Sequence, residues 1–171
     1  GIVKSMGGAI QIYSKSGEGT QFYVYLPVIK NAFKEQNIQT EISVLSGTGH
    51  ILLVDDEKAI ITMEKRMLER LGYQVTSHTS SLEALEAFRE NPDQFDLVIT
   101  DMAMPNMPGD KLSVQLTKIR PDIPVLLCTG YSETMYEEKA ASIGIKGFLL
   151  KPIGIKDLAQ KIHEILIIKK N

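Results

Sequence analysis

Four short apolar runs, each ending at a chemically active residue, predict an α/β fold built on a parallel sheet. Ile51-Leu52-Leu53-Val54 leads into Asp55 and Asp56, and Leu97-Val98-Ile99-Thr100 leads into Asp101. Val125-Leu126-Leu127-Cys128 leads into Thr129, and Phe148-Leu149-Leu150 leads into Lys151-Pro152. Helix-length segments separate the runs. Parallel strands with right-handed crossovers make a doubly wound sheet, and such sheets hold their ligands at the carboxyl ends of the strands.

The elements follow in order along a (βα)5 alternation. The first strand spans about 51–55. The first helix spans about 57–71, with Ile60, Met63, Met67 and Leu71 on one face and Gly72 as its stop. The second strand is expected at about 73–78. The second helix, about 80–90, is capped by Ser80 or Ser81, turns Leu82, Leu85 and Phe88 inward and is followed by Asn91-Pro92. The third strand is about 96–100, and the third helix about 109–119 with Leu112, Leu116 and Ile119. The fourth strand is about 124–129. The fourth helix, about 132–142, is the most polar. The fifth strand is about 147–150, and the fifth helix about 155–168 with Leu158, Ile162, Ile165 and Leu166.

This layout gathers three carboxylates, a hydroxyl and an ammonium at one edge. Like charges so placed repel unless a cation joins them. Lys151 supplies one positive charge and a divalent metal could supply the rest. Mg²⁺ takes oxygen ligands, keeps several waters and is commonly held by one or two carboxylates plus phosphate oxygens. Asp55, Asp56 and Asp101 offer such a partial cage, which a phosphoryl group would complete; Mn²⁺ suits the same donors. A carboxylate can then act as nucleophile and form an aspartyl-phosphate. Asp101, alone on its strand, is the best candidate, with Lys151 and the Thr129 hydroxyl binding phosphoryl oxygens. An Asp after a strand is often only a helix cap, but capping does not explain five such positions at the same strand ends.

Residues 50 to about 168 resemble a response-regulator receiver domain. The resemblance rests on Ile51-Leu52-Leu53-Val54-Asp55-Asp56-Glu57, Asp101-Met102-Ala103-Met104-Pro105-Asn106-Met107-Pro108-Gly109, Cys128-Thr129-Gly130-Tyr131 and Phe148-Leu149-Leu150-Lys151-Pro152. It implies a flavodoxin-like sheet of order 2-1-3-4-5. It implies that Asp101 accepts a phosphoryl group from a phosphohistidine donor. Asp55, Asp56 and Asp101 would bind Mg²⁺ together with the backbone carbonyl of Ala103. Thr129 and Phe148 match the family's switch pair, in which the hydroxyl moves to the phosphoryl group and the aromatic ring turns inward. Ala103 and Tyr131 match two positions that modulate phosphoryl lifetime. Ala103 cannot orient an attacking water, so a long-lived phosphoryl group is expected. Lys151-Pro152 is expected to be cis. The readout surface would be residues 132–168, which could also pair two copies.

Residues 1–28 differ. Gly8–Ser14 and Thr20–Leu26 alternate with period two around Lys15-Ser16-Gly17-Glu18-Gly19, a hairpin signature. With Ile2-Val3-Lys4-Ser5-Met6-Gly7-Gly8, Ser16–Phe22 and Leu26-Pro27, this stretch resembles the tail of a histidine-kinase ATP-binding domain. The expected organisation is a β-hairpin remnant at 1–28, a flexible linker at 29–49 ending in Ser46-Gly47-Thr48-Gly49, and the receiver at 50–171. The resemblance implies the C-terminal part of a hybrid sensor histidine kinase, with no ATP site and no donor histidine in the sequence given. A lone hairpin is marginal, and its open edge could pair with a second chain.

Net charge is −2, divided as +1 over residues 1–49 and −3 over the rest, so no nucleic acid partner is expected. The lone cysteine, Cys128, excludes an internal disulfide and fits packing in a reducing cytoplasm. No run of 18 apolar residues suggests membrane contact, although a longer parent could be membrane-anchored; no signal peptide is read. His50, His78 and His163 lack the neighbours of a phosphodonor. Met102, Met104 and Met107 are read as packing, since a thioether is soft and the site hard. An aspartate-based phosphatase would need a second Asp two residues after its nucleophile, where Asp101 has Ala103 and Asp55 has Glu57. A receiver that regulates by protein interaction without phosphate remains the alternative.

Overall fold

The computed structural model describes residues 2–28, 46–130 and 144–168. The expected fourth helix, about 132–142, and linker residues 29–45 lie outside them. The chain divides into two compact units, Gly1–Gln36 and Asn37–Asn171.

The first unit holds a one-turn helix, α1 (Ile2–Ser5), and an antiparallel hairpin of β1 (Ala9–Lys15) and β2 (Gly19–Tyr25). The register runs from Ala9 opposite Tyr25 to Lys15 opposite Gly19. Pairing puts Ile10, Ile12, Phe22 and Val24 on one face and Gln11, Tyr13, Gln21, Tyr23 and Tyr25 on the other. The second face is tied together by bonds from Tyr25 Oη to Gln11 Oε1 (3.3 Å) and from Tyr23 Oη to Gln21 Oε1 (3.2 Å). All residues of both strands are exposed.

The second unit contains β3 (His50–Val54), α2 (Lys58–Arg70), β4 (Gln74–His78), α3 (Ser81–Glu90), a 3₁₀ turn (Pro92–Gln94), β5 (Leu97–Asp101), α4 (Gly109–Ile119), β6 (Val125–Thr129), β7 (Ile145–Leu150) and α5 (Ile155–Ile168). The five strands are parallel in the order β4-β3-β5-β6-β7. That is the 2-1-3-4-5 order expected from the sequence. Helices cover both faces, so the central strands are apolar on both sides. Ile51, Leu53, Leu97, Ile99, Leu126 and Cys128 turn to the layer holding Ile61 and Leu68 of α2 and Leu158 and Ile162 of α5. Leu52, Val54, Val98 and Val125 turn to Ala84, Leu85 and Phe88 of α3 and Leu112 and Leu116 of α4. Ser80 caps α3 as expected, its Oγ accepting from Glu83 N.

Two helix faces differ from expectation. On α2 the buried line is Ile61, Glu64 and Leu68, continued by Leu71, with Met63 45% exposed. Of the expected stripe Ile60, Met63, Met67 and Leu71, Leu71 is buried and Met67 packs against the core, while the exposure of Met63 shows that the buried face is turned toward Ile61, Glu64 and Leu68. On α3 the buried line is Ser81, Ala84, Leu85 and Phe88, and Leu82 is 48% exposed. A residue one step along a helix lies about 100° away, which puts Leu82 beyond the edge of that line.

The end of the linker is built into the sheet rather than loose. Gly47 N donates to Leu71 O (2.9 Å) and Gln74 N to Gly49 O (2.9 Å). His50 N donates to Asp96 Oδ2 (2.8 Å), and Asp96 N donates back to His50 O (2.8 Å). Gly72 has φ +96°, and a Cβ there would lie 2.6 Å from Gly47 O. The turn after α2 and the linker thus approach closely only because neither carries a side chain. Gly72→Ala is expected to destabilise the protein by about 1–3 kcal/mol. A urea titration should show a lower midpoint at unchanged slope; an unchanged midpoint would remove this account of the turn.

Candidate functional site

The site grows from strand ends. Parallel neighbours β3 and β5 run in register, with Val54 beside Thr100. The next residues, Asp55 and Asp101, therefore emerge side by side about 5 Å apart. Both are buried, at 1% and 7% exposure. β7 lies two strands from β5, and its last residue is followed by Lys151, whose backbone N–H donates to Thr129 O (2.9 Å). The long lysine side chain returns along the edge. Its Nζ donates to Asp55 Oδ2 (2.8 Å) and lies 2.6 Å from Asp101 Oδ1. Burial opposes this charge, but the bonds to Asp101 and Asp55 and their attraction outweigh it and hold the ammonium above the ordinary lysine range. The Lys151–Pro152 bond is cis.

The remaining carboxylate oxygens are held by the backbone. Glu57 N donates to Asp55 Oδ1 (2.8 Å), and Ala103 N donates to Asp101 Oδ2 (2.8 Å). The loop after Asp101 closes on itself where Gly109 N donates to Met102 O (3.0 Å). A Cβ on Gly109 would lie 2.2 Å from Asp101 O, so the loop can return under the acid only with glycine there. Met104 is buried, Met107 packs beside it, and Met102 packs on Leu127, Ile145 and Phe148. The three methionines thus pack, as the sequence suggested.

Asp55, Asp101 and Lys151 meet directly, and Thr129, 1% exposed, ends the strand between β5 and β7. Phe148 is buried at 7%. Asp56 and Ala103 are exposed. Tyr131 lies outside the described residues. Among the described residues no three acidic, histidine or cysteine side chains converge as a ready cation cage. The donors nevertheless suit a hard cation: two buried carboxylates, an exposed third one residue away and no soft ligand. Cys128 is buried in the core, where burial pushes its thiol up.

Glu64 is the residue that sequence reasoning missed. It is 4% exposed, between Ile61 and Leu68 on the buried face of α2. Burial and then the Asp55 charge push its carboxyl up to about 7, with Lys151 opposing and Asp101 adding. An acid at i+3 from one core residue and i−4 from another was the available signal. The equally apolar line through Ile60 and Met63 concealed it.

Residues 51–163 match the response regulator receiver domain. The chain belongs to this family. A sensor kinase, CckA, of Brucella abortus is 35% identical over 175 aligned residues, covering 97% of this chain and 18% of that protein. A two-component response regulator of Arabidopsis thaliana is 38% identical over 124 residues, 71% of this chain and 22% of that protein. The chain thus spans about a fifth of the length of these relatives. A receiver domain protein of Clostridium thermocellum superposes with a TM-score of 0.67 at 35% identity, covering 71% of this chain and 97% of that one. The receiver of a hybrid histidine kinase named CckA gives 0.59 at 34% identity, covering 69% and 99%. Receiver domains take a phosphoryl group from a histidine kinase or phosphotransfer partner and bind Mg²⁺ at their acidic pocket. Among the described residues of this receiver, no helix is long and apolar enough to cross a membrane.

In metal-free receiver, Glu64→Leu is expected to raise stability, increasingly so at higher pH. The unfolded acid releases its proton near 4.5, whereas the folded one holds it to about 7. The folded state therefore binds more protons across that window, and wild-type stability falls as pH rises through it. The gain should approach an order of 1–3 kcal/mol at pH 8. Melting curves in EDTA at pH 5 and pH 8 decide it; a gap that fails to widen counts against this environment for Glu64.

Proposed function

We propose that Asp101 is the phosphoacceptor of a receiver belonging to a hybrid sensor histidine kinase. The observation that carries this reading is the Lys151 ammonium held between the Asp55 and Asp101 carboxylates. A carboxylate so paired is held beside a fixed positive charge, and its oxygen can act as a nucleophile. It attacks the phosphorus of a phosphohistidine; the P–N bond breaks, a P–O bond forms and the imidazole leaves. Lys151 follows the developing negative charge onto phosphoryl oxygens, and the Thr129 hydroxyl donates to another. The Ala103 N–H holds one Asp101 oxygen, so the carboxylate meets the donor in a fixed orientation. Asp55, Asp56, Asp101 and the Ala103 carbonyl would hold Mg²⁺, which neutralises charge on the transferring group when bound. Thr129 and Phe148 form the switch pair, and Phe148 sits in the apolar cluster that also contains Met102, next to the acceptor.

The hairpin unit supports the longer reading. Residues 1–28 carry the sequence features of an ATP-binding-domain tail, 29–49 the linker and 50–171 the receiver. The similarity to the Brucella sensor kinase covers 97% of this chain, well beyond the 51–163 matched by the receiver family. Phosphotransfer on the cytoplasmic side agrees with the single, buried and reduced Cys128.

Incubation with acetyl phosphate and Mg²⁺ should add one phosphoryl group by intact mass. Asp101→Asn and omission of Mg²⁺ should each abolish the gain. No gain in wild type would favour the module that acts by protein contact alone. Ala103→Asn should shorten the phosphoryl lifetime, because an amide at this exposed position can orient water. A lifetime at least about tenfold longer in the variant than in wild type would overturn the role given to Ala103.

A further inference from the structure

Met102 follows the acceptor directly, and both its main-chain groups are pinned. Its N–H donates to Cys128 O on β6 (2.8 Å), and its carbonyl accepts from Gly109 N at the start of α4 (3.0 Å). Cys128 lies beside Asp101 in the sheet, and the residue before it, Leu127, lies beside Phe148. The half-buried Met102 side chain packs against the cluster of Leu127, Ile145 and Phe148. The other two methionines of the loop go elsewhere. Met104 and Met107 belong to the layer that holds Phe88, Leu112 and Leu116. Of the three, Met102 alone joins the acceptor to the cluster of the aromatic ring.

We propose that Met102 is a positioning residue for Phe148, the side chain through which the acceptor strand sets where the ring rests. This rests on the reading of Thr129 and Phe148 as the switch pair. Met102 touches no phosphoryl oxygen and takes no part in the transfer. With its main chain tied on both sides, it carries a displacement of Asp101 into the cluster through one covalent step. Its unbranched chain can follow a ring from one setting to another, and its sulfur packs well on aromatic surface. A switch responds only to contacts that differ between its two states. The Thr129 hydroxyl supplies one such contact from β6, and Met102 supplies a second from β5. Shortening the side chain leaves a gap in the cluster, and the setting of the ring then no longer follows the acceptor.

The test is fluorine NMR on the whole 171-residue chain labelled with para-fluorophenylalanine, with the Phe148 signal assigned by its loss in Phe148→Leu. Spectra before and after treatment with acetyl phosphate and Mg²⁺ give the movement of the signal, and intact mass gives phosphoryl uptake. Met102→Ala is expected to take up the group within about twofold of wild type, with the movement at least about halved. Met102→Leu refills the cluster and is expected to restore the movement. Should Met102→Ala not fold, Met102→Gln is read in its place, since it keeps the length and replaces the thioether with an amide. A full movement in Met102→Ala, or one that Met102→Leu fails to restore, would overturn this inference and leave the acceptor intact. Loss of uptake in Met102→Ala would overturn it too, by placing Met102 in the transfer itself. A wild-type signal that stays still despite uptake would overturn the switch pair, and the inference with it. No uptake in wild type would overturn the acceptor reading on which both stand.

Discussion

The Lys151 ammonium lies between two buried carboxylates, and the sheet has to be built so that it can. Two acids emerging side by side from adjacent parallel strands repel each other strongly in a dry environment. Lys151 relieves that repulsion at 2.8 Å and 2.6 Å. The geometry requires β3 and β5 in register, β7 two strands away, and the chain after β7 turned back toward the edge. A slip of one residue in either acid-bearing strand would send its carboxylate to the opposite face. The apolar alternation of Leu52 and Val54 against Ile51 and Leu53 forbids that slip. Core packing thus fixes the electrostatics of the site.

The backbone completes what the lysine begins. Each buried acid has a second oxygen bound by a main-chain N–H two residues on, from Glu57 and from Ala103. Gly109 lets the acceptor loop fold under Asp101 and return into α4. Such main-chain donors cannot rotate away, which keeps the carboxylates aligned at little entropic cost. The edge is consequently rigid where chemistry occurs. It is open where Asp56 and Ala103 are exposed and a donor must approach.

The opposite edge of the same sheet is tied to the chain that enters it. Gly47, Gly49 and His50 bond to Leu71, Gln74 and Asp96, so the receiver begins as a docked strand extension. The hairpin unit shows the contrary case. Its alternation is satisfied in backbone pairing, yet Ile10, Ile12, Phe22 and Val24 are all more than half exposed. Local pairing makes a hairpin; burial of a face requires another layer.

The sequence by itself determined the fold class and the strand ends at which Asp55, Asp101, Thr129 and Lys151 sit, and its family resemblance carried the strand order. Runs such as Ile51–Val54 and Leu97–Thr100 can be buried on both faces only in a covered parallel sheet, and the polar residue after each run marks the strand end. Boundaries fell within one or two residues because the apolar runs stop sharply. A serine cap was legible from side-chain chemistry as Ser80 or Ser81, and the structure selects Ser80. Tertiary structure alone decided which side of α2 faces the core. Ile60, Met63 and Met67 make as apolar a line as Ile61 and Leu68, and only packing against Leu53, Cys128 and Leu158 selects the second. That choice buried Glu64, to which the sequence reading had given no role. It also decided that Gly47 and Gly49 dock against the sheet, because close backbone approach depends on a distant turn at Gly72. Periodicity reports what a segment can bury; the neighbouring layer decides what it does bury.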